Sequence, residues 1–77
     1  MTALGEMKLG QRARVLAVDG IDDVSVRLME MGLVPGASIS VVRSAPLGDP
    51  IQIKLRDYHL ALRRTEAELI NVVFDVE

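Results

Sequence analysis

The run Arg27-Leu28-Met29-Glu30-Met31-Gly32-Leu33-Val34-Pro35-Gly36 decides how this chain folds, because it reads as a helix end passing straight into a turn. Upstream, Asp22 is placed to cap the free amides of a helix over about residues 23–31. With that cap, Ile21 and Val26 fall at the two positions of a hydrophobic staple. At the other end Gly32 stands where a left-handed residue is wanted, since a residue without Cβ meets no steric penalty there. Leu33 is then expected to fold back onto Leu28, the apolar contact of a Schellman stop. Pro35-Gly36 makes a second stop: proline sets φ for the first corner of a turn, and glycine accepts positive φ at the second. Beyond Gly36 the periodicity changes to short alternating strands. The pattern is one helix hinged to a small sheet.

Working outward, Arg12–Val18 reads as a strand with Ala13, Val15 and Ala17 on one face. Leu16 and Val18 load the opposite face, which predicts cover on both sides near the strand's end. Thr2–Lys8 carries little pattern and reads as a lead-in. Downstream, Ile39 and Val41 alternate with serines in Ser38–Ser44, and Ala45–Pro50 is a loop punctuated by proline and glycine. Ile51–Leu55 alternates cleanly, with Ile51, Ile53 and Leu55 facing in. Arg56-Asp57 is the expected two-residue turn into Tyr58–Leu62, with positive φ assigned to Asp57. Thr65 to Glu68 has capping-box spacing for one short helical turn. Ile70, Val72, Phe74 and Val76 alternate as the closing strand. The expected fold is mainly β: a small, strongly bent five-stranded barrel with one α-helix after the first strand and a helical turn before the last. On strand count, SH3-like and oligonucleotide-binding barrels both fit. Without repeat or linker, residues 1–77 are expected to form one domain.

Seventy-seven residues bury only about 60% of their unfolded surface, so the stability margin is thin. The chain has no cysteine, which leaves neither a disulfide framework nor a thiolate metal site to support the core. A net charge of −2 with both signs scattered argues against binding through a dominant basic field. No apolar run approaches the roughly 20 residues a bilayer requires, and residues 1–9 lack the apolar centre of a signal peptide. A cytoplasmic module is expected.

Four blocks then stand in register: Leu9-Gly10-Gln11, Arg27 to Gly36, Ala45-Pro46-Leu47-Gly48-Asp49-Pro50, and Ala61-Leu62-Arg63-Arg64 through Ala67 and Ile70. Together they resemble the FeoA family over nearly the whole chain. Asp57 departs from the glycine that the family often has in the hairpin turn. The resemblance implies an SH3-like barrel and a cytoplasmic accessory role in bacterial ferrous iron uptake. It also implies a partner, the FeoB transporter, a membrane protein with a cytosolic GTP-binding domain. A related domain is fused to iron-responsive DNA-binding repressors, but this chain has no room for their helix-turn-helix. The alternative is a small nucleic-acid-binding barrel of the ribosomal or translation-factor type. Scattered charge and the lack of an aromatic stacking stripe count against it.

Candidate chemistry is sparse. His59 is expected on an outward strand face beside Ala61 and Arg63, which are poor ligands, so no native metal site is expected there. With a surface carboxylate it could take up a divalent ion adventitiously. Asp22-Asp23 and Glu66/Glu68 fit helix starts better than acid–base catalysis. No nucleophile stands paired with a base, so no catalytic residue, cofactor or enzyme activity is expected. Pro46–Pro50 lacks the glycine spacing and lysine of a phosphate loop. Val24, Leu28 and Met31 form a core face at helical spacing, and Met29 lies off it. Arg27 and Arg63-Arg64 read chiefly as solvated cations, although an arginine offered to a GTP-hydrolysing partner would be Arg27. The candidate partner-binding residues are Arg27, Met29, Glu30, Pro46 and Leu47. They are expected to form one surface, apolar at Met29 and Leu47 and rimmed by Arg27 and Glu30.

Overall fold

The computed structural model describes residues 2–74. Its elements run β1 (Thr2–Ala3), a 3-10 turn (Leu4–Glu6), β2 (Arg12–Val18), α1 (Asp23–Glu30), β3 (Ser38–Ser44), β4 (Ile51–Leu55), β5 (Tyr58–Leu62), α2 (Arg64–Ala67) and β6 (Ile70–Phe74). Six antiparallel strands form one sheet in the order β1-β6-β2-β3-β4-β5, so the last strand returns beside the first long one. The expected count of five is corrected by the lead-in. Thr2 and Ala3 pair with Val72 and Asn71, and Leu4 and Met7 are buried in the core. A two-residue strand has no periodicity to read. Its place is set by the free edge of β6.

The helix end forms as its residues dictate. Asp22 accepts a hydrogen bond from Ser25 N–H at 3.0 Å, and α1 begins at the next residue. Gly32, at φ 109°, ends the helix, with Leu33 N–H donating to Leu28 C=O at 3.2 Å and Gly32 N–H to Met29 C=O at 3.0 Å. That pair of bonds is the Schellman pattern, and Leu28 and Leu33 are both fully buried. Ala37 N–H donates to Val34 C=O at 3.0 Å across a turn in which Gly36 has φ 91°. The staple does not form: Ile21 is 97% exposed, because the chain enters α1 from a bend held by Ser25 Oγ donating to Asp19 C=O.

A bulge corrects the expected faces of one strand. In β2 the register with β6 shifts between Val15 and Ala17. Leu16 is left half-exposed, and Val18 turns in against the core. An extra residue in one strand reverses the face of everything after it, so β2 is not covered on both sides there. In β3, Ile39 and Val41 are buried as their alternation predicts, and Val42, at a register shift between Val41 and Arg43, is partly exposed. β4 needs no correction: Ile51, Ile53 and Leu55 are buried. The β4–β5 turn takes its positive φ at Arg56, at 57°, and not at Asp57. Positive φ at the first central position alone matches a type II′ turn. α2 also starts before the expected Thr65 box. Glu66 Oε1 accepts from Arg63 N–H at 2.8 Å, and Asp49 Oδ1 accepts from Arg64 N–H at 3.1 Å. A side chain from the β3–β4 loop thus fixes the helix start. Of the closing strand, Ile70 and Val72 are buried and Phe74 is partly so, while Val76 lies outside the described residues.

Candidate docking surface

Three of the five candidate residues ride on α1, whose position is set from both ends. At its start, the fully buried Ser25 donates to Asp19 C=O at 2.6 Å. At its end, Tyr58 O–H donates to Met31 C=O, and Gly32 lies directly against Leu55 and Tyr58. Between the two, Arg27 Nη2 meets Glu66 Oε2 of α2 at 3.3 Å. α1 therefore reaches from α2 to the β4–β5 turn. Leu28 faces the core, Met29 is half-buried beside it, and Glu30 is exposed. Arg27 is mostly exposed and Glu66 largely covered, so the pair is anchored on the α2 side. An exposed pair of this kind contributes about 0–1 kcal/mol and serves chiefly to hold the arginine in place. The bond that Asp22 accepts from Ser25 N–H holds its carboxyl below the ordinary 3.8.

Pro46 and Leu47 project from the loop that joins β3 to β4. Gly48 N–H donates to Ala45 C=O at 2.7 Å and Ala45 N–H to Pro50 C=O at 3.0 Å, which closes the loop on itself. The Asp49–Pro50 peptide is cis. Leu47 stands at the tip, 94% exposed.

The two segments lie toward opposite ends of β4. The loop adjoins Ile51, at the start of β4, whereas the end of α1 rests on Leu55, at its finish. At about 3.3 Å per residue these strand ends are roughly 13 Å apart. What does join the two sides is Arg63. It lines a cleft of about 430 Å³ between α1 and α2, together with Asp22, Val24, Arg27 and Glu66. It also lines a second cleft, of about 410 Å³, with Asp49, Pro50 and Ala61. The sequence placed Arg63 in a matching block and in a solvated arginine pair, not among the five candidate contacts. Two observations put it at the centre: Glu66 reaching back to its amide, and Asp49 capping the residue after it. Neither has a sequence signal beyond acid spacing.

His59 is exposed on β5 and stands opposite Lys54 of β4, a cationic neighbour unsuited to sharing a metal ion. Among the described residues no three His, Cys, Asp or Glu side chains converge on one point.

Comparison with known proteins places this geometry. The FeoA domain model matches residues 2–73. A Porphyromonas gingivalis protein, the Fe(2+) transport protein A/Fe(2+) transporter FeoB fusion protein, is 41% identical over 69 residues. That match covers 90% of this chain and 8% of the fusion protein, so the chain spans about a twelfth of the curated relative it matches. The solution structure of FeoA from Chlorobium tepidum is 46% identical, with a TM-score of 0.87, over 95% of this chain and 70% of that one. The crystal structure of Stenotrophomonas maltophilia FeoA, complexed with zinc and described as a procaryotic SH3 domain protein, is 30% identical. Its TM-score is 0.84, over 95% of this chain and 91% of that one. The mainly β fold is accordingly SH3-like.

Proposed function

Since the chain belongs to the FeoA family, we propose that it serves ferrous iron uptake as an accessory module that docks on the cytosolic GTP-binding part of a FeoB-type transporter. The observation that carries this reading is the Porphyromonas fusion, in which a matching segment and the transporter share one polypeptide. Covalent tethering raises the effective concentration of one module at another to the millimolar range for a short flexible linker. With or without such a tether, the module needs a surface that fits the transporter. Two segments supply it: Arg27, Met29 and Glu30 on α1, and Pro46 and Leu47 on the loop, with Arg63 between them. Leu47, an aliphatic side chain at the tip of a closed loop, is the apolar anchor, and interfaces draw most of their energy from a few such residues. Arg27, held at Glu66, is a rim contact and has no catalytic role. No helix among the described residues is long and apolar enough to cross a membrane. The module works on the cytoplasmic side, reaches the membrane only through the transporter, and takes no nucleic acid partner.

The test is a titration of folded protein against the purified cytosolic domain of the transporter, with and without guanine nucleotide. Met29→Ser combined with Leu47→Ser should keep the parent's circular dichroism and weaken binding by at least ~1 kcal/mol. Because the two residues sit on separate segments, the single variants should add. Full affinity in the folded double variant would move the docking face to the Ala61–Arg64 edge. No binding by the parent under any nucleotide condition would reject the reading.

A further inference from the structure

The outward face of β2, β3 and β4 carries a second feature, which uses none of the residues offered above for docking. A cleft of about 300 Å³ is lined by Arg12, Ala13, Ser38, Ile39, Ser40, Lys54 and Arg56. Among the described lining residues three are cations and none is an acid, on a chain whose net charge is −2. The arrangement follows from the strand register. Arg12 pairs with Ser40, and Ser40 with Lys54, so arginine, serine and lysine stand in one row across three strands. Neighbouring strands are about 4.8 Å apart, so the two long side chains rise on either side of a short hydroxyl. The second row lies two residues along, where Arg14 of β2 pairs with Ser38 of β3 and Arg56 follows the end of β4, and of these Ser38 and Arg56 line the cleft. Side chains two apart on a strand share a face, about 6.6 Å from one another. The cleft thus offers two rows of donors, each with a serine hydroxyl and at least one cation, repeating at the spacing of a β-strand.

That repeat selects the ligand. A compact anion fills one row and leaves the other unmatched. An extended polypeptide with carboxylates at alternate positions has the same repeat of about 6.6 Å and meets both rows at once. Arginine and lysine together favour carboxylate acceptors, and the serines add neutral donors. We propose that the Arg12–Ser40–Lys54 row and the Ser38–Arg56 row form a binding groove for an extended acidic protein segment with Asp or Glu at every second residue.

The experiment titrates the isotope-labelled chain, followed by amide NMR shifts, with two capped synthetic peptides of identical composition. In one, glutamate alternates with threonine; in the other, the glutamates form a single block. The alternating peptide is expected to shift the amides of Arg12, Ser38, Ser40, Lys54 and Arg56. It should bind several-fold more tightly than the block peptide and weaken as salt shortens the range of the charges. Arg12→Gln combined with Lys54→Gln replaces two outward-facing cations with neutral polar side chains. It should lower the affinity about tenfold, the product of two exposed charge pairs. The dispersion of the spectrum checks the fold, and Lys54→Gln alone, expected at about threefold, gives a second reading. Equal affinity for the two peptides would reduce the groove to a diffuse positive field and overturn the proposal. So would shifts centred elsewhere, or inorganic phosphate reproducing the full shift pattern, which would make it a small-anion site.

Discussion

Replacing Gly32 with alanine isolates the junction on which the fold turns. Two separate costs meet at this position. The backbone sits at φ 109°, where an L side chain costs about 1–3 kcal/mol. The added Cβ would also lie 2.9 Å from Tyr58 Oη and 3.0 Å from Leu55 Cδ2. Ordinary carbon contacts need about 3.5–4.0 Å, so Tyr58 and the fully buried Leu55 must both give way. Displacing Tyr58 loses its hydrogen bond to Met31 C=O, a net loss of about 0.5–1.5 kcal/mol. Shifting Leu55 adds an overpacking cost of about 1–3 kcal/mol. The expected loss is about 2.5–7.5 kcal/mol, against a total of roughly 4–12 kcal/mol for a chain of this length. Gly36 is the internal control, since its φ is 91° but a Cβ there would meet nothing within 4 Å. Gly36→Ala should therefore cost only the backbone part, about 1–3 kcal/mol. Urea melts of both variants, followed by circular dichroism and by the fluorescence of Tyr58, the single tyrosine, give the comparison. A third variant combining Gly32→Ala with Tyr58→Phe should lose less than the sum of its parts, because removing the hydroxyl opens the space that Cβ needs. If the two alanine variants melt at the same urea concentration, the contact with Leu55 and Tyr58 does not hold the helix end, and the reasoning fails.

Three further outcomes follow from other parts of the structure. Arg56→Gly should raise stability by up to ~1 kcal/mol in denaturant melts, because Arg56 and not Asp57 bears the positive φ, while Asp57→Gly should give no gain. Ser25→Ala removes a fully buried hydroxyl that donates to Asp19 C=O, and should cost about 1–2 kcal/mol by the same melts with little effect on the spectrum. Asp22 has its folded pKa depressed below 3.8 by the bond from Ser25 N–H, so its contribution is present above that pH and is lost as the pH falls through the lower folded value. The stability difference between the parent and Asp22→Ala should accordingly shrink below about pH 4, and a difference constant through acid would assign the cap a role independent of charge.

The sequence by itself determined the parts whose energetics are local. Asp22, Gly32 and Pro35-Gly36 act within a few residues of themselves, and the cap, the Schellman stop and the turn all form where those residue types require them. The strict alternation of Ile51, Ile53 and Leu55 likewise leaves one way to bury β4. Tertiary structure decided whatever depended on a distant partner. The Thr2–Ala3 strand exists because β6 offers a free edge, and α2 starts at Arg64 because Asp49, 15 residues earlier, takes its amide. The bulge at Leu16 turns Val18 into the core against the run of the pattern, since one inserted residue reverses the faces of a strand and only the pairing with β6 calls for it. Positive φ falls on Arg56 for a related reason: register sets the turn type, and composition pointed to its neighbour. The candidate surface divides in the same way. Leu47 was legible as an exposed loop tip, but its separation from Met29 is a property of β4, which lies between them. Arg63 gained its place from Glu66 and Asp49, and side chains that meet only after folding leave no mark in the order of the chain.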